Sequence, residues 1–523
     1  MIKINRKLLS MAHYRRTVIV LTFVLLNIVS ISLSLIVSNW FYILFIISFG
    51  LLMLSIYDVL QIQHSLLRNF PVIGRLRWIF EHERSKIQQY FVENDLDGTP
   101  YNREKRSDVY QKSKKESNST PFGTQLNVYN NGYEFLKHSI YPKQLNDVSD
   151  LRHNIGSKFT KQKYNASIFN ISAMSYGSLS EAAIRSLNIG AKMGGFYHNT
   201  GEGGISPYHL QGGDLVFQVG TGYFGAGNTI NGKRYFAEDV FEKNAKLPEV
   251  KMIEIKLSQG AKPGHGGILP AKKNTPEIAK IRGVEKPFTE VNSPSYHTAF
   301  SNDTEMLEFI MKVRELSNGK PVGIKMCVGN YNEVESLIKQ MSEINMYPDF
   351  IAVDGGEGGT GAAPLVYANH MGTPLTESLI LVDTLLKKYK LRDEIKIIAS
   401  GKASTSFDVI RLLALGADGV SAARAFMLSL GCIQARECNI DTCPVGIATQ
   451  NKGLIKGLDV NSKKVRIYNY HQNLMHEIKE VIASMGLTSH KQLNYESVNL
   501  RTKTGLTTYK ELYNSNSLLH TIS

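Results

Sequence analysis

From Thr17 to Tyr57 the chain carries no Asp, Glu, Lys or Arg. A helix crosses the hydrocarbon core of a bilayer with about 20 apolar residues, and this stretch holds roughly two such lengths. It is also too long for the apolar core of a signal peptide. A short polar break at Ser38-Asn39-Trp40 divides it into spans over about Thr17–Val37 and Trp40–Leu60. In lipid only helices satisfy the backbone without a closed barrel, so the expected form is a helical hairpin. The competing arrangement is a hairpin buried in a soluble core. Lys3, Arg6, Lys7, Arg15 and Arg16 precede the hairpin, and Arg68, Arg75, Arg77, Arg84 and Lys86 follow it. Basic residues on both flanks place both in the cytoplasm, against anionic lipid headgroups. The expectation is a cell-membrane protein with two spans and a cytoplasmic catalytic domain.

Composition narrows the rest. Among 523 residues, 43% are hydrophobic and 20% charged, which excludes wholesale disorder and a wholly membrane-embedded chain. Four cysteines exclude a disulfide-stapled secreted scaffold. The net charge of +14 is partly that of the hairpin flanks. No nucleic-acid motif accompanies it, and nucleic acid is not an expected partner. The expected domains are a hairpin over 1–62, a helical and polar connector over 63–134, a barrel over 135–490 and a tail over 491–523. Within the connector, about 61–96 reads as amphipathic helix and 97–125 as a polar lead, its Lys112, Lys114 and Lys115 solvated.

Beyond about residue 165, β-branched runs alternate with helical ones. Strands are expected at Ser167–Ser175, Phe196–Gly201, Leu215–Gly220, Met252–Leu257, Pro321–Cys327, Phe350–Gly355, Ile395–Gly401 and Gly419–Ala423. Helical periodicity covers Leu179–Met193, Thr304–Leu316, Tyr331–Ile344, Glu377–Lys390 and Thr405–Leu415. The alternation predicts an α/β (β/α)₈ TIM barrel, with insertions after the third and fourth strands; an open doubly wound sheet is the competing topology. Barrel sites form at the C-terminal strand ends. Those ends carry Ser175, Gly201, Lys256, Lys325, Asp354 and Gly401.

Two GxGxxG matches, at Gly220 and Gly356, lack the helix that must follow a dinucleotide fingerprint. Ser400-Gly401-Lys402 and Ser421-Ala422-Ala423-Arg424 are better phosphate candidates, because each ends a late strand, opens a helix and adds a cation. Ordinary strand-to-helix turns are the plain alternative. Cys432, Cys438 and Cys443, spaced C-x5-C-x4-C before Pro444, point to a thiolate metal site or to structural thiols. No fourth ligand nearby completes a zinc set. Three cysteines suit a 3Fe–4S cluster.

Five blocks make the chain, over about 135–490, resemble the FMN-binding domain of the glutamate synthase large subunit and of ferredoxin-dependent glutamate synthase. They are SAMSYGSLS (172–180), NTGEGG (199–204), IEIKLSQGAKPGHGG (253–267), GGEGGTGAAP (355–364) and GCIQARECNIDTCPVGIATQ (431–450). The resemblance implies FMN beside a 3Fe–4S cluster held by Cys432, Cys438 and Cys443. It implies that Ala173, Met174, Ser175 and Gln218 lie along the flavin. Ser400, Gly401 and Lys402, with Ala422, Ala423 and Arg424, would hold its phosphate. Lys325 would stabilise negative charge on the reduced flavin, and Lys256 and Gln259 would face the substrate. The implied reaction is hydride transfer from reduced FMN to 2-iminoglutarate, formed from 2-oxoglutarate and ammonia, to give L-glutamate. Ferredoxin or a reductase subunit would feed electrons through the cluster.

The departures from the family concern the substrate side. The first cysteine is Cys327, so no N-terminal cysteine nucleophile is present to release ammonia from glutamine. His265 stands where the long synthases carry Glu, Thr221–Gly225 replaces Ser-Gly-Arg-Phe-Gly, and SPPPHH is reduced to Ser293–His297. These changes are expected to line the substrate pocket. The alternatives they leave are a membrane-linked FMN/Fe–S oxidoreductase acting on another amino or imino acid, and a non-catalytic membrane-tethered partner of a redox complex.

Overall fold

The computed structural model describes residues 6–116 and 119–515, with side chains over 16–513. Lys3, used above for orientation, and residues 516–523 of the expected tail lie outside the described residues. The chain divides into two compact units, Met1–Gly98 and Thr99–Ser523.

The first unit is a hairpin of α1 (Arg6–Ile36) and α2 (Phe41–Leu60), broken at the expected polar turn. Arg16–Ile36 and Phe41–Leu60 are long and apolar enough to cross a membrane. Their large apolar side chains point outward; Leu35, Ile36 and Trp40 are all more than two-thirds exposed. Several small polar ones are inside, while Thr22 and Ser32 stay exposed. Asn27, Ser30 and Ser34 of α1 and Ser48 and Ser55 of α2 are buried, and Ser30 and Ser48 share a 3.3 Å hydrogen bond. A soluble helix pair buries the opposite set. Small and hydroxyl residues between helices are the pattern of packing in lipid.

The second unit is built on eight strands: β1 (Phe169–Ile171), β2 (His198–Asn199), β3 (Leu215–Val219), β4 (Val250–Lys256), β5 (Val322–Met326), β6 (Phe350–Asp354), β7 (Lys396–Ser400) and β8 (Gly419–Ala422). Each pairs in parallel with the next, and β8 closes on β1 through Val420–Phe169 and Ala422–Ile171. The sheet is therefore a closed (β/α)₈ barrel and not an open one. Its helices are α3 (Arg103–Lys114), α4 (Glu181–Gly194), α5 (Glu238–Ala245), α6 (Pro276–Arg282), α7 (Asp303–Leu316), α8 (Tyr331–Glu343), α9 (Leu375–Lys388), α10 (Ser406–Ala414), α11 (Arg424–Leu430) and α12 (Val460–Ser484). The insertions fall where expected. A hairpin (Gly227–Ile230 with Lys233–Phe236) precedes β4, and a long excursion holding α6 precedes β5.

Strand residues of alternate parity fill the barrel: Val216, Met252, Phe350, Ala352 and Ile398 cluster with Ile155, Tyr164 and Ala166 of a hairpin (Arg152–Ile155 with Tyr164–Ser167). The entry end is thereby plugged, and open space is left to the exit end.

One segment departs from expectation. Residues 103–114 form α3, docked against α12, instead of a solvated lead. Lys112 is buried, with Asp108 at 2.6 Å and Glu477 at 2.5 Å. The helix docks through ion pairs and one fully buried apolar residue, Val109, so it lacks the apolar stripe by which helices are recognised.

Candidate active site

At the C-terminal strand ends the connecting loops enclose a cavity lined from both early and late strands. Ala173, Met174 and Ser175 line it from the loop after β1. Gly201 closes the turn after β2 at φ +64, and a Cβ there would lie 2.7 Å from the Ser175 N, so only glycine lets these two loops touch. Gln218 of β3 donates to Glu254 of β4, which also takes 2.9 Å from Asn199. Lys256 ends β4 with its Nζ 2.9 Å from Glu202, and Lys325 of β5 lies 3.4 Å from Asp354 of β6. Both lysines are buried. Burial pulls the Lys325 pKa down, but Asp354, Glu254 and Glu202 outweigh it and leave the pKa raised, so the group is an ammonium. Asp354 also accepts the Gly260 N–H at 2.8 Å, tying the loop after β4 to β6. A Cβ at Gly260 would stand 2.0 Å from the Gly355 carbonyl. Gln259 lines the cavity beside Thr360, 3.3 Å away.

The last two loops supply the other wall: Ser400, Gly401 and Lys402 after β7, and Ala422, Ala423 and Arg424 at the end of β8. Burial and the nearby Arg424 lower the Lys402 pKa. Arg424 packs over the Tyr101 ring at 5.1 Å. Among the described residues neither cation has an ion-pair partner within 4.0 Å. Two neighbouring cations with no carboxylate in ion-pair contact, Glu357 acting on Lys402 only from farther off, are a fit for a phosphate. The residues expected along the flavin and at its phosphate therefore line one cavity, on opposite walls.

The cysteine loop adjoins this cavity. Cys438 lines the cavity; burial raises its pKa and that of Cys432, and Cys443 acts on both thiols in the same direction. Burial pushes Cys432 up to about 12, and the Gln434 N–H donates to its Sγ at 3.4 Å. Lys273, bonded to the carbonyls of Ser178 and Ala448, acts electrostatically on Cys438 and Cys443. Among the described residues no three His, Cys, Asp or Glu side chains close around a metal point. The donor chemistry suits a cluster with three thiolate ligands, and the thiols are gathered without being closed.

The departures from the long synthases stand one layer out. Tyr223 and His297 are buried against each other at 3.0 Å, and neither they nor His265 line the cavity. His297 Nε2 lies 2.9 Å from the Lys256 carbonyl and must donate to it. Burial holds the His297 pKa down at about 4, so the neutral ring braces the end of β4. The expectation that these residues face the substrate is corrected. Missed in the sequence were Glu202, Glu254 and Tyr101. Glu202, the one acid in a glycine run, carried a signal; Tyr101 carried none.

A closed parallel barrel with buried, paired cations around a cavity at its strand ends is a (β/α)₈ barrel of the enzyme-site type. The family model described as the conserved region in glutamate synthase matches residues 102–488. The glutamate synthase large subunit-like protein YerD of Bacillus subtilis (strain 168) is 36% identical over 507 residues, 88% of this chain and 94% of that one. The archaeal-type glutamate synthase (NADPH) of Thermotoga sp. (strain RQ2) is 34% identical over 61% of this chain and 60% of that one. The archaeal glutamate synthase (NADPH) of Methanocaldococcus jannaschii is 34% identical over 63% of this chain and 61% of that one. This chain belongs to the glutamate synthase family. It spans nearly the whole of YerD and about three-fifths of the two archaeal-type relatives.

Proposed function

We propose that this chain is a membrane-anchored, glutamate synthase-like oxidoreductase. It makes L-glutamate by reducing the imine of 2-oxoglutarate and ammonia, with electrons from a ferredoxin-like or reductase partner. The two apolar helices are its anchor and the barrel unit is cytoplasmic. The observation that carries this reading is one cavity with two cation pairs. Lys402 and Arg424 suit a phosphate; Lys256 and Lys325 suit an acidic substrate.

FMN, when bound, supplies hydride transfer. Lys402 and Arg424, with the backbone of Ser400-Gly401 and Ala422-Ala423, would hold its phosphate, and Ala173, Met174, Ser175 and Gln218 would line its ring. A 3Fe–4S cluster, when bound, supplies one-electron transfer; Cys432, Cys438 and Cys443 would hold it. Lys325 keeps its proton because three carboxylates surround it, and so presents fixed positive charge where negative charge develops. Lys256, braced by His297 from behind and Glu202 from the side, presents an ammonium for a substrate carboxylate, with Gln259 beside it. The glycines at 201 and 260 let the loops meet over the cavity.

Full-length protein in detergent, carrying flavin and iron in the ratio of a 3Fe–4S cluster, should form L-glutamate from 2-oxoglutarate, ammonia and reduced ferredoxin. Fully flavinylated protein that forms none overturns the reading. Flavin without iron overturns the cluster assignment alone.

A further inference from the structure

The segment that leaves the hairpin has an apolar side with no cover in its own unit. It runs from Leu76–Ile87, a helix that buries none of its side chains, through a π turn over Gln88–Val92. Leu76, Ile79, Phe80 and Ile87 fall at i, i+3, i+4 and i+11, on one side of the helix. They are exposed by 49, 55, 61 and 40%. Phe91, in the turn, is 85% exposed. Exposed Arg77 and Arg84 border this side on one edge and Lys86 on the other. The one acid on the apolar side, Glu83, is held by Lys86 at 3.0 Å.

The exit from α2 is fixed rather than loose. Asp58, near the end of α2, is fully buried. Its carboxylate takes the Val72 N–H at 2.9 Å and the Arg75 Nε at 3.1 Å. That clamp folds residues 61–75 back against the end of the hairpin, so the following helix starts at the level where the apolar surface of α2 ends.

Resting on the reading of the hairpin as an anchor, we infer that Leu76–Val92 lies in the headgroup–acyl boundary of an anionic bilayer. Its apolar side faces the acyl chains, and Arg77 and Arg84 reach the phosphates. An amphipathic helix with cations bordering a Leu/Ile/Phe face is the form that binds such a boundary. Continuity with the spans and charge complementarity select lipid over a protein partner. The segment is then a third membrane contact, lying along the surface instead of crossing it.

The chain has two tryptophans, Trp40 and Trp78, which makes depth measurable. Full-length protein is placed in vesicles of mixed phosphatidylcholine and phosphatidylglycerol containing lipid brominated just below the headgroup. Three single-tryptophan forms are compared. Trp78→Phe leaves Trp40 at the hairpin turn. Trp40→Phe/Trp78→Phe with Phe80→Trp reports the apolar side, and the same background with Glu81→Trp reports the opposite side. The expected result is a blue-shifted Phe80→Trp emission quenched to less than half, with Glu81→Trp almost unquenched. An unquenched, red-shifted Phe80→Trp beside a quenched Trp40 puts the helix in water and overturns the inference while leaving the anchor. A blue-shifted but unquenched Phe80→Trp means protein covers this side, and overturns it equally. Loss of quenching at both Trp40 and Phe80→Trp overturns the anchor itself, and this inference with it.

Discussion

Charge is buried at both ends of the barrel, and the two ends hold it in opposite ways. At the entry end, Asp349 is fully buried and saturated. It accepts from the Ser157 N–H at 2.7 Å, the Ser157 hydroxyl at 2.6 Å, the Val322 N–H at 2.7 Å, the Thr160 hydroxyl, and Arg314 at 3.0 and 3.1 Å. Nothing is left to offer a ligand. At the exit end, Lys256 and Lys325 each have one carboxylate within 4.0 Å, with Glu254 and Glu202 acting on Lys325 from farther off, and each ammonium has three donors. Among the described residues Lys402 and Arg424 have none within 4.0 Å, although Glu357 acts on Lys402 from farther off. Saturation makes a plug; the same residue types left short of partners around a cavity make a site.

The comparison is broken most directly by removing one charge from each end. Asp349→Ala leaves Arg314 buried without its carboxylate, and is expected to cost about 3–5 kcal/mol in chemical denaturation of the solubilised protein. Lys325→Met should do less to the fold, because Asp354 keeps the Gly260 N–H and faces the cavity. Its effect should fall on turnover, with kcat lowered by about 10²–10³. Equal losses of stability in the two variants would mean that the exit-end charges are as structural as the entry-end ones.

Much of this contrast was visible in the sequence, and unevenly. Seven of the eight barrel strands fall within the expected runs, and β4 begins at Val250, two residues before its expected start, because a strand buried on both faces is a short β-branched stretch that composition alone reveals. The residues expected along the flavin and phosphate all line one cavity, because barrel topology brings every strand end to one rim. The entry-end plug was invisible: Ser157, Thr160, Arg314 and Asp349 are ordinary polar residues far apart in the chain. Docked α3 was missed for the same reason, since an ion pair such as Lys112–Glu477, made between residues far apart in the chain, leaves no periodicity. Tyr223 and His297 were legible as unusual but not as outer-layer residues, because which way a loop side chain turns is decided by packing.

Acid separates the ends more finely. Burial holds the pKa of His153, at the entry end, down at about 4, as it does for His297. The unfolded chain takes up these protons near pH 6.5, while the fold refuses them. Stability is therefore full above about pH 6.5, falls as the pH drops toward 4, and levels off below that. Each histidine contributes about 1.4 kcal/mol per pH unit in that window. Neither ring nitrogen of His153 has a hydrogen-bond partner among the described residues, whereas both of His297 do. His153→Gln should shrink the stability difference between pH 7 and pH 5 by about 2 kcal/mol with turnover unchanged. His297→Gln should shrink it similarly and also raise KM for the acidic substrate, since the brace on Lys256 is lost. Unchanged KM in His297→Gln would remove that ring from the positioning of the site.

The smallest effect tests whether the exit end is loose throughout or only where ligands are expected. The start of α10, after β7, is closed by its own residues. The Thr405 hydroxyl accepts from the Asp408 N–H at 3.2 Å, and the Asp408 carboxylate returns to the Thr405 N–H at 3.1 Å. Lys105 of α3 adds a 2.8 Å contact to the same carboxylate. The start of α11, after β8, has no side-chain cap, and it is the one that carries Ala423 and Arg424 into the cavity. Thr405→Ala should then cost about 1 kcal/mol of stability, the ordinary loss of a cap. Flavin content should stay unchanged, because the Thr405 and Asp408 N–H groups are taken up within the cap and do not hold the phosphate. Loss of flavin in Thr405→Ala, at normal stability, would place the phosphate at α10 and leave Arg424 as a structural cation over Tyr101. Retention of flavin there, with loss of flavin in Arg424→Gln, would put the open charge of this barrel at β8.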